Sequence, residues 1–184
     1  MSNNSNDLSY LVSSIDLKKK IKHKFKLVQY KDLFEYQNLN QLLPNSKLSI
    51  LIILINTSPE GGGHWTILVR QKKLITYFDS YGKKIDQELK YISASDKNQL
   101  HENEPYLSEL INNANVQVEQ NTIQFQSYSP DINTCGKYVT FVANSMIKGM
   151  NLTEIQNLLQ SIHKNKKESY DNIVNHFYNN YFTK

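Results

Sequence analysis

The feature that most constrains this chain is a near-continuous apolar run, Leu48-Ser49-Ile50-Leu51-Ile52-Ile53-Leu54-Ile55. It is far shorter than the roughly 20 residues a membrane-spanning helix needs. It also lacks the alternation of a half-exposed strand. A β-branched-rich run of this length predicts a strand buried on both faces. The chain of 184 residues is long enough to supply the core such a strand requires. A hydrophobic fraction of 39% and a charged fraction of 21% exclude a wholly disordered chain and a membrane bundle.

Around this run the pattern predicts an α+β domain. Leu8 to Ile15 reads as a short helix. Tyr30 to Leu43 reads as a helix stopped by Pro44. Asn56 to Gly63 is a loop, followed by strands over Trp65–Arg70 and Leu74–Phe78. Helices are expected over Lys83–Ile92 and Glu104–Asn112, and a strand over Val116–Gln126. Cys135–Lys148, Asn151–His163 and Lys167–Phe182 complete the chain as helices, with Thr153 and Gln156 as a capping box. The expected organisation is a single domain over 1–184, with a polar and basic arm over 1–26, a core over 48–148 and C-terminal helices over 151–184.

Charge and cysteine content narrow the chemistry. The net charge is +4, yet Lys18, Lys19, Lys20, Lys22, Lys24 and Lys26 lie in one acid-free stretch. Taking that +6 from +4 leaves −2 for the rest, a near-neutral globule. The lysines read as a solvated arm, or as a nucleic-acid contact whose binding would fall steeply with salt. One cysteine excludes an intramolecular disulfide and a cysteine zinc site, and it fits a reducing compartment. Met1 to Asn6 has neither the basic nor the apolar region of a signal peptide. Gly61-Gly62-Gly63 lacks the following Lys-Ser/Thr and helix of a phosphate loop.

Three residues carry reactive chemistry in combination. If Gln71 and Lys72 form the turn between two strands, Arg70 pairs with Lys73 and His64 lies opposite Asp79. Opposed residues share a face with Cβ atoms about 5 Å apart, close enough for a carboxylate to accept an imidazole N–H. Cys135, followed by Gly136, begins an amphipathic helix, whose free N–H groups favour a thiolate. Its own N–H is a candidate oxyanion donor. Alone, each residue has an ordinary explanation: a small buried thiol, a packing histidine, a turn aspartate. Their order and setting together do not. His23, His101, His163 and His176 have no acid or thiol at ligand-like spacing and read as surface residues.

Gly63-His64-Trp65, then Tyr77-Phe78-Asp79-Ser80-Tyr81-Gly82, then a glutamine ahead of Thr134-Cys135-Gly136, resembles the adenovirus-protease and SUMO-protease group of cysteine peptidases. The match spans roughly residues 48–146. Within the group it looks most like the capsid-maturation proteases of adenovirus, polinton-type elements and virophages, including a mavirus-like protease. The resemblance implies a circularly permuted papain-like fold with a mixed or antiparallel central sheet and the nucleophile at a helix N-terminus. It implies His64 as general base, Asp79 as its orienter and Cys135 as nucleophile, with no cofactor and no metal. Trp65, Gly63 and Gly136 would border the substrate groove. The family's oxyanion glutamine lies six or seven residues before the cysteine. Here those positions hold Ser129 and Tyr128, and Gln126 lies nine before. A two-residue insertion around Pro130-Asp131 makes Gln126 the match. Gln124, expected on the same strand face, is its competitor.

The implied activity is endopeptidase cleavage of capsid or other virion precursors after small residues such as Gly-Gly. The implied setting is a virion or host cytoplasm, with a monomeric enzyme, no membrane and DNA as a partner of the lysines. A peptide activator linked through a cysteine is excluded, because the single cysteine is the nucleophile. Alternatives are a deSUMOylase or deubiquitinase-like enzyme, an acetyltransferase using the same triad, and a non-enzymatic nucleic-acid-binding domain.

Overall fold

The computed structural model describes residues 7–182. In chain order the elements are α1 (Ser14–Lys20), β1 (Lys26–Gln29), α2 (Leu39–Leu42), β2 (Ser49–Asn56), β3 (Gly63–Gln71), β4 (Leu74–Phe78), α3 (Ala94–Leu100), α4 (Tyr106–Asn112), β5 (Gln117–Gln120), α5 (Cys135–Ile147), α6 (Leu152–Lys166) and α7 (Tyr170–Asn180). Short 3-10 helices cover Tyr30–Glu35 and Gln87–Tyr91. The chain divides into two compact units. A sheet unit comprises Lys24–Asp79 and Lys83–Thr122. A helical unit comprises the segment up to His23, Ser80–Gly82 and the chain from Ile123 onward.

The sheet unit is one five-stranded mixed sheet with its strands in sequence order. β1 runs parallel to β2 and β5 parallel to β4, while β2, β3 and β4 are antiparallel neighbours. The apolar run forms β2, and both its faces are buried. Leu51, Ile53 and Ile55 join a core with Leu68, Ile75 and Tyr77, and Ile50 and Ile52 on the other face are equally inaccessible. Alternate sides of a strand point oppositely, so only a run apolar at every position satisfies both.

Several elements depart from the expected boundaries for local reasons. The helix expected over Tyr30–Leu43 is a 3-10 helix followed by the short α2, which Asn38 caps by accepting from the Gln41 N–H. The helix over Lys83–Ile92 shrinks to one 3-10 turn because Asp86 takes a left-handed conformation, φ 60°. Its carboxylate instead accepts from Tyr30 Oη at 2.8 Å and from the Ser108 N–H at 2.8 Å. The strand over Val116–Gln126 stops at Gln120. There the Asn121 side chain takes over the ladder, bonding both the N–H and the carbonyl of Asp79 at 2.9 and 2.7 Å.

The helical unit is built on α5, buried along nearly its whole length. A helix buried all round must be packed by others. α1, α6 and α7 pack on it or on one another, with Phe141 against Phe177 at a ring separation of 5.0 Å. The helix expected at Leu8–Ile15 begins later. Ser13 and Asp16 form a reciprocal capping box, and Lys18, Lys19 and Lys20 fall in the last turn, where cations suit the helix dipole. Residues 14–20 are therefore helix rather than loose arm, and Lys26 opens a strand. The α6 capping box is Asn151 with Glu154, not Thr153 with Gln156.

Candidate active site

The sheet unit supplies the histidine and the aspartate. The β3–β4 turn is Lys72-Lys73 rather than Gln71-Lys72. Lys72 takes φ 58°, and Gln71 pairs with Leu74. The register is thus two residues from the expected one, and Asp79 lies just past the end of β4. A two-residue slip preserves the face because strand side chains alternate with period two. His64 and Asp79 accordingly meet on one face: His64 Nε2 lies 2.9 Å from Asp79 Oδ2. Both are buried, at 3% and 0% exposure. A carboxylate only accepts, so Nε2 is the donor in this bond. Asn121 fixes the Asp79 backbone from both sides. Sequence reading missed this residue; its one signal is an asparagine at a strand end, where such side chains bond local backbone.

Gly63 opens β3 opposite Asn56. A Cβ there would lie 2.7 Å from Leu54 Cδ1 and 3.1 Å from the Ile55 carbonyl, so a side chain would have to push the leucine aside and crowd the carbonyl. Trp65, opposite Leu54, is buried. Glu102 is fully buried, and its Oε1 accepts from the Asn56 N–H and Nδ2, each at 3.1 Å. Burial pushes its carboxyl up to about 7 despite those two bonds.

The helical unit supplies the thiol. Cys135 is the first residue of α5 and is 6% exposed. Gly136 follows it, buried, its carbonyl accepting from Thr140 Oγ1 at 2.8 Å. Gln126 is buried outside any strand, so the expectation that Gln124 and Gln126 share a strand face does not hold. Its Oε1 accepts from Ser80 Oγ at 2.7 Å, and its Nε2 donates to Tyr81 Oη at 2.9 Å and the Ile132 carbonyl at 3.2 Å. Gln124 is exposed and donates to the Gln126 carbonyl at 2.9 Å. Lys137, buried on α5, donates to the Asp7 carbonyl and Asn175 Oδ1. Burial lowers its ammonium to about 8.

The lysine run divides in two. Lys20 donates to the Tyr178 carbonyl and Lys26 to the Gln41 carbonyl, both at 2.9 Å. Lys18, Lys19, Lys22 and Lys24 are exposed. His23, His101, His163 and His176 are exposed too. Among the described residues no group of three or more His, Cys, Asp or Glu side chains is placed to hold a metal ion. No described helix is long and apolar enough to cross a membrane.

No protein-family profile matches the sequence. The chain is 26% identical to the uncharacterized protein V9 of Sputnik virophage over 164 residues, covering 89% of this chain and 91% of that protein. Its structure is similar to the pS273R protease of ASFV, with a TM-score of 0.51 and 15% identity over 95% of this chain and 69% of that one. A looser likeness, TM-score 0.34 and 13% identity, covers 97% of the chain and 76% of the SUMO protease Ulp1. The likeness to the pS273R protease is one of fold: a mixed α+β chain with a five-stranded sheet among its described residues.

Proposed function

We propose that the protein is a cysteine endopeptidase that processes capsid or other virion precursor polypeptides. The observation that carries this reading is the buried His64 Nε2–Asp79 Oδ2 hydrogen bond of 2.9 Å, in a chain with a protease fold and a cysteine at a helix start. In the proposed reaction His64 Nδ1 takes the Cys135 thiol proton, and Sγ attacks the scissile carbonyl carbon. Asp79 holds the imidazole tautomer and stabilises the imidazolium. The Cys135 N–H and Gln126 Nε2 hold the tetrahedral oxyanion. Both Gln126 amide hydrogens are engaged in the resting protein, so its part requires exchanging the Tyr81 bond for the oxyanion. Collapse expels the amine, which takes the proton from His64 and leaves an acyl-enzyme. Water, deprotonated by the same nitrogen, then releases the acid and restores the thiol.

The proposed substrates are cleaved after small residues such as Gly-Gly, in a virion or host cytoplasm where the thiol stays reduced. The virophage relative supports the viral setting. Contact with DNA, if made, falls on the four exposed lysines. The test is cleavage of virion precursors and Gly-Gly peptides by wild type and Cys135→Ala. Cleavage lost in the variant supports the reading, and an undiminished rate would sink it. Reaction with ubiquitin-like activated probes but no precursor cleavage would transfer the same chemistry to a deSUMOylase or deubiquitinase-like enzyme.

A further inference from the structure

Asp171, in the first turn of α7, is fully buried. Its two carboxylate oxygens serve two points of one loop. Oδ1 accepts from Thr134 Oγ1 at 2.5 Å and Oδ2 accepts from the Ser127 N–H at 3.1 Å. Ser127 directly follows Gln126, and Thr134 directly precedes Cys135. One buried carboxylate therefore grips both ends of the segment joining these two residues. That segment, 127–134, contains no helix or strand to hold its ends in place. Each added residue raises the entropy that must be lost to hold loop ends in place.

A second observation bears on the helix terminus itself. Thr134 is the N-cap of α5, a position where a threonine hydroxyl ordinarily accepts from an N–H of the first turn. Here it makes no such bond; its hydroxyl is turned to Asp171. The first N–H groups of an α-helix have no intrahelical acceptor. A cap hydroxyl accepts from the second or third N–H of its helix, so drawing it away spares the Gly136 N–H, which joins that of Cys135 at the terminus for a thiolate and an oxyanion. The rest of the loop is pinned as well: Gln126 Nε2 bonds the Ile132 carbonyl, and the Asn133 N–H bonds the Leu8 carbonyl at 2.8 Å.

We propose that Asp171 is a positioning residue for the peptidase reaction, setting the spacing of Gln126 and Cys135 and keeping the α5 terminus uncapped by Thr134. This rests on the peptidase reading. It acts through Thr134 and Ser127 and touches no substrate. The carboxylate is required because it accepts at both oxygens, whereas an amide accepts at one only.

The test compares wild type with Asp171→Asn, Thr134→Val and Thr134→Ser, measuring kcat and KM on a cleaved peptide, Cys135 alkylation by iodoacetamide, and thermal unfolding. Asp171→Asn and Thr134→Val should each lower kcat ten- to a hundredfold with KM changed less than threefold. Thr134→Ser, which keeps the hydroxyl, should retain kcat within threefold. The double variant Asp171→Asn/Thr134→Val should be no slower than the slower single one. Alkylation should slow in the same order, which gives the comparison without any substrate. Should Asp171→Asn fail to fold, the Val and Ser variants of Thr134 decide the matter. Wild-type kcat and alkylation in folded Asp171→Asn and Thr134→Val would overturn the positioning role. Full activity in Cys135→Ala would instead remove the peptidase reading beneath it.

Discussion

In the sheet unit, His64 and Asp79 owe their meeting to strand register: two antiparallel strands and one turn bring the side chains to a shared face. In the helical unit, Gln126 and the segment leading to Cys135 are held by side-chain hydrogen bonds, from Ser80, Tyr81 and Asp171, across a stretch with no regular structure. A ladder tolerates error in steps of two, since each such slip returns the same face. A loop tied by individual side chains has no such periodic repair. Each unit also buries a charge that burial disfavours: Glu102 in the sheet unit has its carboxyl raised, and Lys137 in the helical unit has its ammonium lowered.

The largest expected effect tests whether the ladder-built pair does chemistry. Asp79→Asn keeps the shape but reverses the preferred tautomer, and such a change in a comparable triad costs about 10,000-fold in turnover. Peptide cleavage by Asp79→Asn should fall by about that factor. Alkylation of Cys135 at pH 6 should fall at least about tenfold in His64→Ala, since the thiolate would lose its imidazolium partner. Equal alkylation profiles in wild type and His64→Ala would overturn the proposed reaction. Because Cys135 is the sole thiol, either result is read without background.

What was legible in the sequence follows the same division. β2 declared itself through an apolar run with no gaps, and β4 fell on its expected residues. The His64–Asp79 pairing was legible although the turn was misplaced, because parity rather than register decides the face. The Cys135 helix start was legible from the amphipathic spacing after Gly136. Asn121, Asp86 and Asp171 were not. Each is a polar side chain whose partner is distant in sequence or whose bond ends an element early, and neither periodicity nor propensity encodes such choices. α1 was misjudged because four of its seven residues are charged, and its capping box speaks more clearly than its composition.

The intermediate effect separates the buried charges. Glu102 holds its proton to about 7 in the folded chain, against 4.5 for an unperturbed group. Between those values the folded state binds more protons than the unfolded one, so stability falls as pH rises from about 4.5 to about 7 and levels above. The full fall is about 3 kcal/mol for one such group. Lys137 has the opposite sign: its ammonium is lowered from 10.5 to about 8, so its burden eases as pH rises across that window. Urea unfolding of Glu102→Gln from pH 4.5 to 7.5 should show that slope removed. The alkaline behaviour, to which Lys137 contributes, should be unchanged. An unaltered slope in the variant would assign the acid-range dependence to another carboxylate.

The smallest effect concerns the turn that sets the ladder. Lys72 adopts φ 58°, a region that costs an L-residue roughly 1–2 kcal/mol and glycine little. Against this, glycine loses more conformational freedom on folding, about 0.5–1 kcal/mol. Lys72→Gly should therefore stabilise the protein by about 0.5–1 kcal/mol net, a shift of about 1–4 °C in Tm. Gln71→Gly, at a strand position paired with Leu74, should destabilise by a similar amount. The pair of variants distinguishes the two registers directly. A turn at Gln71-Lys72 would make position 71 a turn residue, and glycine would no longer be penalised there as in a strand. Destabilisation at 71 with stabilisation at 72 places Asp79 diagonal to His64 rather than opposite it. The ladder then delivers the carboxylate from just beyond the end of β4, where the side chain of Asn121, rather than another strand, must hold its backbone.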